Sequence, residues 1–141
     1  MRIDIISNGG FDADGNFWNF TSNGSTVVGE EDVIVKNKYC QVYQTEAVFQ
    51  QIPLENGRSY LVKLKVRGGL RGTLSVMKMN TNDAYWQIDI NSSLSNSWVE
   101  ESHLFTAGDW ARELTLHFRA ANGATTSYLE LDNISLTETS R

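Results

Sequence analysis

This chain has one cysteine, one proline, two histidines and no long hydrophobic run. Each shortage excludes something. A lone Cys40 excludes an internal disulfide framework and any multi-cysteine zinc site. His103 and His117 lie outside any His-Glu-x-x-His arrangement, so the ligand set of a zinc hydrolase is missing. Apolar runs of only a few residues leave no segment for a transmembrane helix. The opening Met1-Arg2-Ile3-Asp4-Ile5-Ile6 is a short apolar stretch interrupted by an acid, which is not a signal-peptide pattern. Basic charge is scarce too: 12 Lys and Arg against 17 Asp and Glu give a net charge of −5, which argues against a nucleic-acid partner. No Gly-x-Ser-x-Gly elbow and no phosphate loop occurs. With no constellation of nucleophile, base and acid to assemble, the chain reads as a binding or structural domain and not an enzyme.

What the chain does have is strands. Its 141 residues and 40% hydrophobic content suit one domain over residues 1–141 with a real core. Ser59–Arg67 alternates strictly: Tyr60, Val62, Leu64 and Val66 on one face, Lys63, Lys65 and Arg67 on the other. Period two marks a half-buried strand. Leu114–Arg119 repeats the pattern, and so does Tyr85–Ile90, with Trp86, Ile88 and Ile90 inward. Shorter candidates are Ile3–Ser7, Ser25–Val28, Val33–Lys36, Tyr39–Gln44, Val48–Ile52, Thr73–Met79, Trp98–Thr106, Tyr128–Leu131 and Ile134–Thr137. Asn56-Gly57, Gly68-Gly69, Asn122-Gly123 and the polar stretch Asn91–Ser97 supply turns between them. Pro53 falls at a strand end, where its missing N–H costs little. Many short strands with regular turns and no helical stripe predict an all-β, two-sheet antiparallel sandwich.

Three segments together resemble the carbohydrate-binding modules of families four, nine and twenty-two. The first is Asn8-Gly9-Gly10-Phe11-Asp12 followed by Trp18. The second is the turn Gln51-Ile52-Pro53-Leu54-Glu55-Asn56-Gly57-Arg58-Ser59-Tyr60. The third is Trp98 with Phe105-Thr106, closing on Leu129-Glu130-Leu131-Asp132-Asn133-Ile134-Ser135-Leu136. The resemblance spans residues 3–137. It implies a jelly roll of the galactose-binding-like type whose concave face holds a polysaccharide or oligosaccharide chain. It also implies a module attached to a larger protein, at the cell surface or outside the cell.

The same resemblance implies a structural calcium tying the opening turn to the last strand, with Asp12 and Asp132 as ligands. The chemistry is sound, because calcium takes six to eight oxygen donors and two carboxylates with loop carbonyls can supply them. The alternative is that Asp12 is a turn acid and Asp132 caps a loop. An EF-hand starting at Asp12-Ala13-Asp14-Gly15-Asn16 fails, since Phe17 stands at the position that requires glycine.

In the resembling modules, the strands matching Ser59–Arg67 and Leu114–Arg119 border the cleft. Their outward residues here are Lys63, Lys65, Arg67, Thr115, His117 and Arg119, joined by Tyr85, Gln87 and Asp89 from a third strand. Sugar recognition needs an aromatic face for the C–H patches of the ring and planar polar groups for its hydroxyls. Tyr85 suits the first need, and Gln87, His117 and Arg119 the second. The chain departs from glucan- and xylan-binding relatives at Lys65, where an aromatic ring is usual. Lys63, Lys65 and Arg119 on one face would favour an anionic, uronic-acid glycan. Ordinary solvated strand charges are the bland alternative.

Trp18, Trp86 and Trp98 read as core residues; Trp110, in a loop after Gly108-Asp109, reads as folded over the sandwich end or exposed for a partner. The four Asn-x-Ser/Thr sequons read as chance in a chain rich in Asn and Ser. A competing function is a structural or adhesive domain, of the phage tail-fibre or surface-assembly kind, with the same fold and no glycan affinity.

Overall fold

The computed structural model describes residues 4–11, 16–21, 26–31, 36–78, 83–110, 113–123 and 127–139. Ten strands follow in order: β1 (Asn19–Phe20), β2 (Thr26–Glu31), β3 (Lys36–Val42), β4 (Ala47–Pro53), β5 (Ser59–Arg67), β6 (Gly72–Lys78), β7 (Ala84–Ile90), β8 (Val99–Thr106), β9 (Glu113–Ala120) and β10 (Leu129–Glu138). One 3-10 turn, Ser92–Leu94, interrupts them. They form two five-stranded antiparallel sheets, β1-β4-β9-β6-β7 (sheet I) and β2-β3-β10-β5-β8 (sheet II). The fold is a jelly-roll β-sandwich, as the strand pattern and the resemblance led us to expect. Among the described strands, only β2–β3 and β6–β7 are consecutive partners in one sheet. Every other connection crosses the sandwich.

The inward faces follow from alternation. Tyr60, Val62, Leu64 and Val66 of β5 meet Leu114, Leu116 and Phe118 of β9 in one core with Leu74, Val76, Leu129, Leu131 and Leu136. Cys40 lies wholly inside, and burial pushes its thiol up to about 12, so it packs as an unreactive apolar group. A buried amide, Gln50, is satisfied by both backbone groups of Ser7: Nε2 donates to its carbonyl at 2.9 Å and Oε1 accepts from its N–H at 2.8 Å. That pair holds the N-terminal segment on β4.

Two expectations need correction. The stretches Tyr128–Leu131 and Ile134–Thr137 are one strand, β10, with a bulge between Asp132 and Ser135. Two residues there oppose one on β5, so the alternation slips and the sequence looks like two strands. Trp98 is outside the core cluster. It lies on the outer face of sheet II, where the Arg67 guanidinium sits 4.2 Å from its ring and 4.8 Å from that of Tyr39. Most of the expected strand Val33–Lys36 lies outside the described residues. No helix among the described residues is long and apolar enough to cross a membrane.

Glycine sets one junction that matters for the site. Gly68 and Gly69 turn out of β5 at φ of 111° and 100°, and their N–H groups donate to the carbonyls of Ser95 and Ser93. Such angles favour glycine. A Cβ on Gly68 would also stand 2.5 Å from the Tyr128 carbonyl oxygen. This turn carries the chain from sheet II into β6, between β9 and β7 of sheet I.

Candidate functional site

Strand β6 runs between β9 and β7. Its Leu74 and Val76 enter the core, so Thr73 and Ser75 face outward with the half-buried Met77. The register places His117 of β9 and Gln87 of β7 on either side of Ser75, and Arg119 and Asp89 on either side of Thr73. Beyond His117, the row continues to Phe49 of β4. Thr73, Ser75, Met77, Gln87, His117 and Arg119 line a groove of 510 Å³ on this outer face. The groove therefore follows β6, with β9 as one bank and β7 as the other.

His117 is the central polar group. Its ring stacks on Phe49, centroids 4.8 Å apart and planes 14° from parallel. Both ring nitrogens are shielded from solvent, and neither has a hydrogen-bond partner within the protein. Desolvation, with the nearby Arg119 charge adding to it, lowers the imidazole pKa to about 4. At neutral pH the ring is uncharged, with one nitrogen to donate and one to accept. Gln87 is exposed, with Ser75 Oγ 3.4 Å from its Oε1. Arg119 is exposed as well, and its Nη1 donates to the Thr45 carbonyl at 2.7 Å, which fixes the head group at the groove end.

The geometry brings three of the six expected ligand-binding residues into the groove lining and separates two. Gln87, His117 and Arg119 line the groove, and Tyr85 lies on the same strand as Gln87. Lys63 and Lys65 do not belong with them. They stand on β5, on the outer face of sheet II, at the opposite side of the sandwich. Lys65 is in register with Asp132 on one neighbour and Glu100 on the other, and Lys63 with Ser135 and Ser102. The expected cationic face is therefore divided between two sheets, and Lys65 sits among acids. Period two told inside from outside; it carried no information about which sheet a strand joins.

Phe49, Thr73, Ser75 and Met77 were not singled out from the sequence. A signal existed: Thr73, Ser75 and Met77 alternate with Leu74 and Val76, and Phe49 alternates with Val48 and Gln50. Without the pairing of β4, β9 and β6, nothing distinguished these outward residues from other solvated positions.

Of the expected calcium ligands, Asp132 is buried on β10, and one carboxylate oxygen accepts from the Asn133 N–H at 2.8 Å. Asp12 lies outside the described residues. The opening turn is seated on β10 nonetheless, since the Ile134 N–H donates to the Gly9 carbonyl at 2.9 Å and the Ile5 N–H to that of Leu136 at 2.7 Å.

A sequence-family model described as a carbohydrate binding domain matches residues 4–125. No curated protein matches by sequence. Solved structures share the fold. A family 4 carbohydrate-binding module has 15% identity and a TM-score of 0.74, with 95% of this chain and 99% of that one covered. The enzymatically active domain of tailspike protein 4 from bacteriophage CBA120 has 14% identity and a TM-score of 0.73, with 97% of this chain matching 22% of that one. A family 61 module solved with β-1,4-galactotriose has 16% identity and a TM-score of 0.68, covering 97% and 99%.

Proposed function

The chain belongs to the family of carbohydrate-binding domains, and we propose that it binds a segment of an uncharged polysaccharide or oligosaccharide in the groove of sheet I. Families of this kind bind without catalysis, and no catalytic role is assigned to any residue here. The observation that carries the reading is the polar lining of the groove, in which Gln87, Ser75 and Thr73 stand along one face. Gln87 adds a carbonyl and an amide to the same row, and Ser75 and Thr73 add hydroxyls.

An uncharged ligand fits better than an anionic one. Lys63 and Lys65 face the other way, and Arg119 is matched by Asp89 one strand beyond Thr73 in the same row. The similar family 61 module holds an uncharged galactan trisaccharide, which supports the same class here. In the tailspike the matched part is 22% of a longer chain. This domain is read likewise as one module of a larger protein that meets glycans outside the cell.

A structural calcium between Asp12 and Asp132 is part of the proposal. Asp132 is only 3% exposed, and a carboxylate so buried needs positive charge nearby. Calcium held with the opening turn would supply it, and so would Lys65 across the ladder. If calcium supplies the charge, EDTA lowers the melting temperature of the wild type and leaves Asp132→Asn unchanged. If Lys65 supplies it, EDTA has no effect on either.

Affinity electrophoresis tests the ligand class. Retardation is expected in gels of neutral β-glucan, xylan or β-1,4-galactan, and it is lost in the His117→Ala Gln87→Ala double variant. Retardation only by polygalacturonate or alginate would contradict an uncharged ligand. No retardation in any gel would leave the structural or adhesive reading, for which the tailspike likeness is the supporting observation.

A further inference from the structure

We propose that Asn122 is a modification site, whose side-chain amide water converts to aspartate and isoaspartate at a rate set by the Gln44 side chain. The site lies at the Arg119 end of the groove, since Arg119 donates to Thr45, the residue after Gln44. Its chemistry does not depend on a glycan.

Three Asn-Gly pairs fall within the described residues: Asn8-Gly9, Asn56-Gly57 and Asn122-Gly123. Asn23-Gly24 lies outside them. Such pairs matter because the reaction uses the backbone nitrogen that follows the asparagine. That nitrogen gives its proton to hydroxide and bonds to the side-chain carbonyl carbon. The bond from this carbon to the amide nitrogen breaks, and ammonia leaves with a proton taken from water. Water then opens the cyclic imide at either carbonyl. One opening gives aspartate, and the other gives isoaspartate, with an extra carbon in the main chain. Overall a water enters and an ammonia leaves. Glycine favours ring closure, because it has no Cβ in the way and its backbone turns freely. An N–H held in a buried hydrogen bond, or a backbone with no room to turn, opposes it.

Two of the pairs are locked. The Gly57 N–H donates to the carbonyl of the buried Ala107 at 2.8 Å, and the Arg58 N–H closes the same turn on Glu55 at 3.2 Å. Gly9 is pressed onto β10, where a Cβ would fall 1.8 Å from the Ile134 carbonyl oxygen. Asn8 is itself engaged: its Nδ2 donates to the Asn16 carbonyl at 2.9 Å, and its own carbonyl accepts from Trp18 Nε1 at 2.9 Å.

Asn122-Gly123 differs. Ala121, Asn122 and Gly123 are all exposed. The Gly123 N–H donates to a side chain, Gln44 Oε1, at 3.1 Å, and this bond is exposed too. Water competes for both of its ends, and Gln44 lets go by rotating its own side chain while the backbone stays in place. Gln44 is thus a latch on the reacting nitrogen.

Ageing the whole chain at mildly alkaline pH, followed by peptide mapping with mass spectrometry, tests this. Isoaspartyl methyltransferase with labelled S-adenosylmethionine reads isoaspartate in the same samples. Asn122 should convert while Asn56 and Asn8 keep their amides, and in urea all three should convert at comparable rates. Gln44→Ala should speed conversion at Asn122 about two- to tenfold, the effect of one hydrogen bond, and leave Asn56 unchanged. Asn122→Gln should remove the methyl label from that peptide. Conversion of Asn56 or Asn8 in the folded chain as fast as that of Asn122 would overturn the assignment. An unchanged rate at Asn122 in Gln44→Ala, with Asn56 still protected, would overturn the latch.

Discussion

Phe49 and His117 face each other across the β4–β9 ladder, their rings stacked 4.8 Å apart and 14° from parallel. The pair explains how a polar ring rests in a groove without a protein hydrogen bond. Stacking fixes the imidazole plane beneath the groove. Phe49→Ala removes the support without touching the polar groups of the groove. Aromatic pairs contribute about 0.5–1.5 kcal/mol to the folded state, so the melting temperature should fall, and glycan affinity should fall with the loss of the imidazole's support. Calorimetry with a binding oligosaccharide checks it, and Phe49→Tyr should restore most of the loss.

The protonation of His117 makes a second prediction. Its pKa is lowered from 6.5 to about 4 in the folded chain. Between these values the unfolded chain binds more protons than the folded one, so stability rises with pH across that window. Above it this group contributes no slope. Denaturant titrations from about pH 4 to about pH 8 should show the rise in the wild type and a shallower one in His117→Phe. Glycan affinity should stay flat from about pH 5.5 to about pH 8, because the ring remains neutral throughout.

Lys63 and Lys65 lie on the sheet opposite the groove. The Lys63→Ala Lys65→Ala double variant should therefore bind neutral glycan as the wild type does, with the same weak dependence on salt. Affinity electrophoresis at low and high ionic strength measures this directly. A marked loss of affinity would place the binding surface on sheet II.

Arg67 holds the outer face of sheet II together. Its guanidinium lies against Trp98 and Tyr39, and Nε donates to Glu130 at 2.8 Å. Gln41 Nε2 donates to the other oxygen of the same carboxylate at 2.7 Å. Arg67→Ala leaves Glu130 buried with its cation gone, and stability should fall by about 3 kcal/mol in urea titration. Glycan binding by the remaining folded protein should not change.

Much of this fold was legible because alternation is a local property. Tyr60, Val62, Leu64 and Val66 face the core as their spacing required, and the same held for Leu114, Leu116 and Phe118. The site was legible only in part. Gln87, His117 and Arg119 come from strands whose outward faces could be read individually, and they meet because β6 lies between those strands. Lys65 was assigned to the same face on the resemblance, whereas the chain crosses the sandwich between β4 and β5 and again between β5 and β6. Sheet membership is a long-range property that residue spacing does not encode. The bulge at Tyr85, between the pairs Trp86–Val76 and Ala84–Met77, was equally hidden, since a single extra residue in β7 shows only against its partner.

The most direct test of the groove is amide chemical-shift mapping during titration with a neutral β-linked tetrasaccharide from whichever series binds. Perturbations should cluster at Thr73, Ser75, Met77, Gln87, His117 and Arg119 and leave Lys63, Lys65 and Ser135 unmoved. Perturbations centred on β5, β8 and β10, with the β6 and β9 amides silent, would contradict the assignment of the binding face to sheet I.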